Sequence, residues 1–155
     1  MVKVVKSTII AAPVEDVWAI LRDFNGHEEW HPAVAQSAIE RANPSDMVGC
    51  VRRFKLADGS ELRERLLTLS DIDMAFSYCL EDTPIPLLNY VAHVRLTPVT
   101  DGDWTFWSWE SRFDTPKGRE AELKTLVSEG VYQGGFDAIR ETMGLTQNSA
   151  QETAQ

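Results

Sequence analysis

Few side chains in this sequence suit acid-base chemistry near neutral pH, and their positions differ in what they allow. His31 lies in the connector HEEWHP, two residues after Glu29 and directly before Pro32. An imidazole titrates near neutrality, so it can serve as a general base or as a pH-dependent anchor for a ligand. Glu64 lies in the run ELRERLLTLS, residues 61 to 70. There the strand period of two sets Leu62, Glu64, Leu66 and Thr68 against Arg63, Arg65, Leu67 and Leu69. The two arginines turn their face to solvent, which leaves Glu64 pointing inward. A carboxylate in that position is costly unless it is paired or solvated. Tyr78 and Tyr90 add hydroxyls that can orient a ligand or stabilise an enolate. His27, four residues before His31, has the spacing of a helical zinc pair. Gly26 and Pro32 interrupt the helix, however, and no third ligand is evident, so no metal site is expected. His27 is expected to be exposed and His93 solvated. The sequence offers no nucleophile beside a base, no phosphate-cradling glycine loop and no catalytic triad pattern, and no cofactor is expected.

The elements that position these groups can be read in order. Lys3 to Ile10 reads as a strand, and Val14, Val17, Trp18 and Leu21 fall on one face of a short helix that Asn25-Gly26 ends. Six further strand-like runs follow: Ala33 to Arg41, Cys50 to Leu56, Glu61 to Ser70, Met74 to Glu81, Tyr90 to Val99 and Trp104 to Phe113. Asp58-Gly59 and Asp101-Gly102 mark hairpins, which makes this region an antiparallel meander. Alternation places Trp107, Trp109, Ser111 and Phe113 inside, with Tyr90, Ala92, Val94 and Leu96 beside them and Phe76, Tyr78 and Leu80 on the next strand. A last helix is expected from Thr115 to Gly144, capped by Thr115 with Pro116 in its first turn, roughly 40 Å long at 1.5 Å per residue. Its apolar arc drifts across Gly134-Gly135, which calls for a kink or a curved partner surface. Val127, Val131 and Gly135 form its expected inward stripe, with Tyr132 and Phe136 at the margin.

One sheet with one face to bury, and one helix large enough to cover it, imply an α+β helix-grip architecture. In it a seven-stranded curved antiparallel sheet wraps a long C-terminal helix, with one or two short helices after the first strand. The interior would hold aromatics, hydroxyls and a carboxylate. That suits an apolar cavity with a few orienting polar groups, or else a core that the aromatics simply fill.

Composition narrows the function further. The 155 residues are 43% hydrophobic and 25% charged, an ordinary globular balance, and the net charge of -9 argues against nucleic-acid partners. Cys50 and Cys79 are too few for a disulfide framework and read as buried thiols of a cytoplasmic protein. No signal-peptide segment or bilayer-spanning run is evident. Residues 1-145 are expected to form a single domain and 146-155 a disordered polar tail.

The opening IIAAPVEDVWAILRDF with its later Trp30 fits a known pattern, as do GCVRRFKLADGSELRERL, the tyrosine in NYVAHVRLTPV, the tryptophan strand and YQGGFDAI. Together they resemble the START/birch-pollen-allergen-like superfamily, in particular its bacterial polyketide cyclase/dehydrase-like group. The layout is also similar to plant abscisic-acid receptors, in which a lysine anchors the ligand carboxylate at the position of His31. Cavity residues of those receptors match Glu64 and Tyr90. Their gate and latch loops correspond to Leu56 to Leu62 and Thr83 to Leu88, but neither receptor motif is present, which excludes hormone sensing by that mechanism. The resemblance implies a small hydrophobic lipid, aromatic or polyketide-like ligand held by His31, Phe54, Glu64, Phe76, Tyr78, Leu87, Tyr90, Trp107, Trp109, Val127, Val131 and Gly135. The alternative is a cyclase/dehydrase-type enzyme using His31, Glu64 and Tyr90. The protein would be a monomer or a homodimer.

Overall fold

The computed structural model describes residues 1-145; the expected tail, 146-155, lies outside the described residues. Seven strands form one antiparallel sheet: β1 (Val2–Ile10), β2 (Val34–Ile39), β3 (Val51–Leu56), β4 (Glu61–Ser70), β5 (Ala75–Asp82), β6 (Leu88–Val99) and β7 (Trp104–Asp114). Their spatial order is β1-β7-β6-β5-β4-β3-β2. Neighbours from β2 to β7 follow the chain, as short turns dictate, while β1 closes back on β7. β1 and β2 therefore lie at opposite edges. The chain crosses between them through α1 (Val14–Leu21) and α2 (His27–Trp30), both short. α1 buries Val14, Val17, Trp18 and Leu21, the face set by its sequence spacing. α2 ends at His31, whose backbone is extended, as the following Pro32 requires.

The inner sheet face carries the expected residues. Trp107, Trp109, Ser111 and Phe113 are buried, and so are Tyr90, Ala92, Val94, Leu96, Leu62, Glu64 and Leu66. One expectation fails at the end of β4. A bulge between Leu66 and Thr68 turns Thr68 outward, where its hydroxyl bonds Ser77 at 2.5 Å, and Leu69 packs against the core instead.

The C-terminal helix is shorter than predicted and is not uniformly α-helical. Thr115 does not cap it: its hydroxyl bonds the Pro116 carbonyl, and the chain turns through Gly118 at a φ of +86°. The helix begins only with α3 (Glu120–Thr125), continues as a π-helical segment (Leu126–Gln133) and ends as α4 (Gly134–Thr142). The π-helical segment explains the drifting apolar arc. The fully buried side chains are Leu123, Val127, Tyr132, Phe136 and Ile139, and the step from Val127 to Tyr132 is five residues. Tyr132 thus becomes a central inward residue rather than a marginal one. Its ring stacks on Trp109 at 4.2 Å between centroids, while Phe136 meets Trp107 edge-on at 4.6 Å.

The two glycines at the start of α4 differ. A Cβ on Gly135 would lie 2.8 Å from Trp109 Cζ3, whereas one on Gly134 would meet nothing within 4 Å. Gly135 is needed for close approach to a ring already held by Tyr132. Gly135→Ala is therefore expected to destabilise the protein by about 1–3 kcal/mol through overpacking. Gly134→Ala should be neutral or stabilise it by up to about 1 kcal/mol through helix propensity. Urea unfolding of the two variants checks this contrast.

Candidate functional site

Between the sheet and the π-helical segment lies a pocket of about 260 Å³. Its apolar walls include Phe54, Leu62, Leu87, Val127 and Val131, and its polar groups are His27, His31, Arg52, Glu64, Tyr78 and Tyr90. Leu126 and Gly130, both exposed, flank its outer end together with Leu56 and Ile85. Those last two lie in the Leu56 to Leu62 and Thr83 to Leu88 segments, which correspond to the gate and latch loops of the similar receptors. A wider groove of about 380 Å³ lies near Met1, His93 and Arg112 on the solvent face of β6 and β7, away from these polar groups.

The pocket's polar end is built on an ion pair. Arg52 and Glu64 are directly opposite in the β3-β4 ladder, and both are buried, with 6% and 5% of their surfaces exposed. Arg52 donates through Nε at 3.0 Å and Nη2 at 2.8 Å, both to Glu64 Oε1, and through Nη1 to the Phe24 carbonyl at 2.9 Å. Its guanidinium also lies 4.0 Å from the Phe24 ring centre. Burial raises the Glu64 pKa, while the Arg52 charge pulls it down.

The tyrosines are joined above this pair. Tyr78 accepts a hydrogen bond from Trp109 Nε1 at 3.2 Å, and the Tyr90 and Tyr132 hydroxyls are 2.6 Å apart. Burial raises the pKa of all three phenols, so they are neutral hydrogen-bonding groups. His31 accepts from the Ala33 N–H through Nδ1 at 3.2 Å, which leaves its proton on Nε2. Burial lowers its pKa, and a hydrogen bond to the Val131 backbone raises it in part.

Of the residues expected to contact a ligand, His31, Phe54, Glu64, Tyr78, Leu87, Tyr90, Trp109, Val127 and Val131 border this one pocket. Phe76 and Trp107 instead line an adjoining void of about 20 Å³, and Gly135 packs on Trp109. Sequence reasoning missed Arg52, although strand alternation with Phe54 places both on one face. His27 is a second correction. Part of the residue is exposed, but its ring packs against Trp30, His31 and Phe54, and Nδ1 is enclosed with no hydrogen-bond partner among the described residues. No sequence pattern signals this, because α2 is too short to show a periodic face. Among the described residues, no group of three or more His, Cys, Asp or Glu is placed to hold a metal ion.

Burial, followed by the Arg52 charge, holds the His27 pKa well below the usual imidazole range. The unfolded chain then binds protons near pH 6.5 that the folded chain refuses, so His27 and His31 favour folding above that pH and lose this contribution as pH falls. Glu64, with its raised pKa, acts in the opposite sense as pH rises above 4.5. The melting temperature should therefore drop more steeply between pH 7 and 5 in the wild type than in His27→Phe, which keeps the ring without the proton site. Separately, Arg52→Met should cost about 3–5 kcal/mol by leaving Glu64 unpaired, and adding Glu64→Met should restore much of the loss. Chemical denaturation of the single and double variants checks this.

The likeness to known proteins extends over nearly the whole chain. Residues 1–144 match the family described as polyketide cyclase / dehydrase and lipid transport. A Thermobifida fusca protein is similar in structure, with a TM-score of 0.82 and 29% identity over 93% of this chain and 94% of that one. The Bacillus cereus protein XoxI has a TM-score of 0.81 and 23% identity, covering 92% of this chain and 95% of its own. A START superfamily protein from Mycobacterium smegmatis has a TM-score of 0.76 and 16% identity over 93% of this chain and 99% of that one. A search among curated proteins gives no match. Among the described residues, no helix is long and apolar enough to cross a membrane. With strand order, helix placement and family match in agreement, the chain belongs to the polyketide cyclase / dehydrase and lipid transport family.

Proposed function

We propose that this protein binds a small, mainly apolar molecule in the pocket between the sheet and the π-helical segment. The observation that carries the reading is the make-up of that pocket: apolar walls surround an inner end at which a buried ion pair and tyrosine hydroxyls converge. Burying a ligand's apolar surface yields about 25 cal/mol per Å² gross, and the polar groups at the inner end fix its orientation. The family's range, from cyclisation to lipid transport, agrees with ligand capture as the shared step.

A second reading rests on the convergence of Glu64, His31 and Tyr90 on the same pocket. In a cyclase or dehydrase, the neutral His31 or Glu64 would take a proton next to a carbonyl, and a tyrosine hydroxyl would stabilise the enolate. Ligand capture is favoured over this chemistry because the Arg52 charge paired with Glu64 weakens that carboxylate as a base and His31 Nδ1 is occupied by the Ala33 N–H.

Native mass spectrometry against a panel of neutral lipids and small aromatics should show a one-to-one complex. Val131→Trp, which fills the pocket from the helix side, should weaken binding at least about tenfold with the fold retained. A folded protein that binds no member of the panel would contradict the reading. For the second reading, turnover of a polyketide-like substrate should fall in His31→Gln and Glu64→Gln, and survival of activity in the double variant would exclude it.

A further inference from the structure

The polar groups at the inner end of the pocket are committed unequally, and the remainder specifies a ligand. Arg52 is the cation there, and its charge is already paired with Glu64 through Nε and Nη2, while Nη1 also donates to the Phe24 carbonyl. His31 Nδ1 is occupied by the Ala33 N–H. His27 adds no positive charge at neutral pH, since burial beside Arg52 keeps it deprotonated. Both bonds from Arg52 end on Glu64 Oε1, so among the described residues Oε2 is an acceptor without a partner. Tyr78 accepts from Trp109 Nε1, which leaves its own O–H to donate. Tyr78 and Glu64 are on adjacent strands and border the same pocket.

Resting on the ligand-binding reading above, we infer that the pocket selects a compact neutral molecule whose polar group is a hydroxyl, donating to Glu64 Oε2 and accepting from Tyr78, and that it discriminates against carboxylates. A hydroxyl satisfies the Oε2 acceptor and the Tyr78 donor at once. A carboxylate only accepts, and would set a second negative charge against Oε2 where the Arg52 charge is already neutralised by Glu64. A purely apolar ligand would leave both positions unpaired in a desolvated site. Size narrows the class further. An apolar protein cavity of about 150 Å³ takes one benzene, so the 260 Å³ here corresponds to about ten heavy atoms, the scale of a bicyclic phenol. Longer substituents would leave through the end flanked by Leu126 and Gly130.

The test compares 2-naphthol, 2-naphthoate and naphthalene at pH 7 by isothermal titration calorimetry with the full chain. The naphthol should bind about tenfold or more tightly than either of the others. Tyr78→Phe, which removes only the donating hydroxyl, should shrink the naphthol's advantage over naphthalene. Glu64→Gln should shift preference toward 2-naphthoate, because the Arg52 charge is then no longer neutralised. Should the naphthoate bind the wild type as tightly as the naphthol, or naphthalene match it, the inference is overturned while the pocket remains a ligand site. Failure of all three to bind would overturn the inference, while the ligand-binding reading stands or falls with the lipid and aromatic panel.

Discussion

The buried pair of Arg52 and Glu64 is the constraint on which the interior depends. Taking two charges out of water costs several kcal/mol per ion, which is tolerable only with close geometry and further hydrogen bonds. Here the ladder places the two residues opposite one another, and Phe24 contributes both its carbonyl and its ring to Arg52. A floor of this kind cannot be sealed by apolar packing without leaving Glu64 Oε2 and the donating O–H of Tyr78 unpaired. The pair therefore works against a fully packed interface between sheet and helix, and the pocket lies directly over it.

The helix above is shaped to the same end. A regular α-helix would carry its apolar stripe past the curved sheet, whereas the π-helical segment introduces one five-residue step and brings Val127 and Tyr132 onto the sheet together. Tyr132 then stacks on Trp109 and joins Tyr90, closing the inner end, while Val131 borders the pocket. Gly135 permits this close approach because a side chain there would collide with Trp109. The glycine is thus a packing requirement one turn beyond the pocket rather than part of its wall. α2 completes the enclosure, placing His27 and His31 against Phe54 and the helix.

The sheet and its inner face were legible in the sequence because strand alternation is local: one polar-apolar period decides where Trp109, Tyr90 and Glu64 point. The family resemblance drew on these strands together with the opening helix and YQGGFDAI of the last one. What sequence reading could not provide were the features that depend on contacts between distant segments. The π-helical segment arises from matching a helix to a curved surface, and no local propensity distinguishes it from an α-helix. Enclosure of His27 depends on α2 packing beside β2 and α4 with its ring on Phe54, which four residues of helix do not announce. Arg52 is the instructive miss. Its spacing of two from Phe54 puts it on the inner face, but an arginine reads as a surface residue until its partner is in place. The bulge at Leu66 to Thr68 likewise broke an alternation that was sound for the rest of β4.

The central claim is that the pocket's ligand is oriented by what the Arg52–Glu64 pair leaves unbonded. A crystal structure of the protein grown with 2-naphthol tests it most directly. The account predicts the rings between Val131, Leu87 and Phe54, with the hydroxyl within hydrogen-bonding distance of both Glu64 and Tyr78. Density for the compound in the outer groove beside His93, with side chains closing the space beneath the helix, would contradict it.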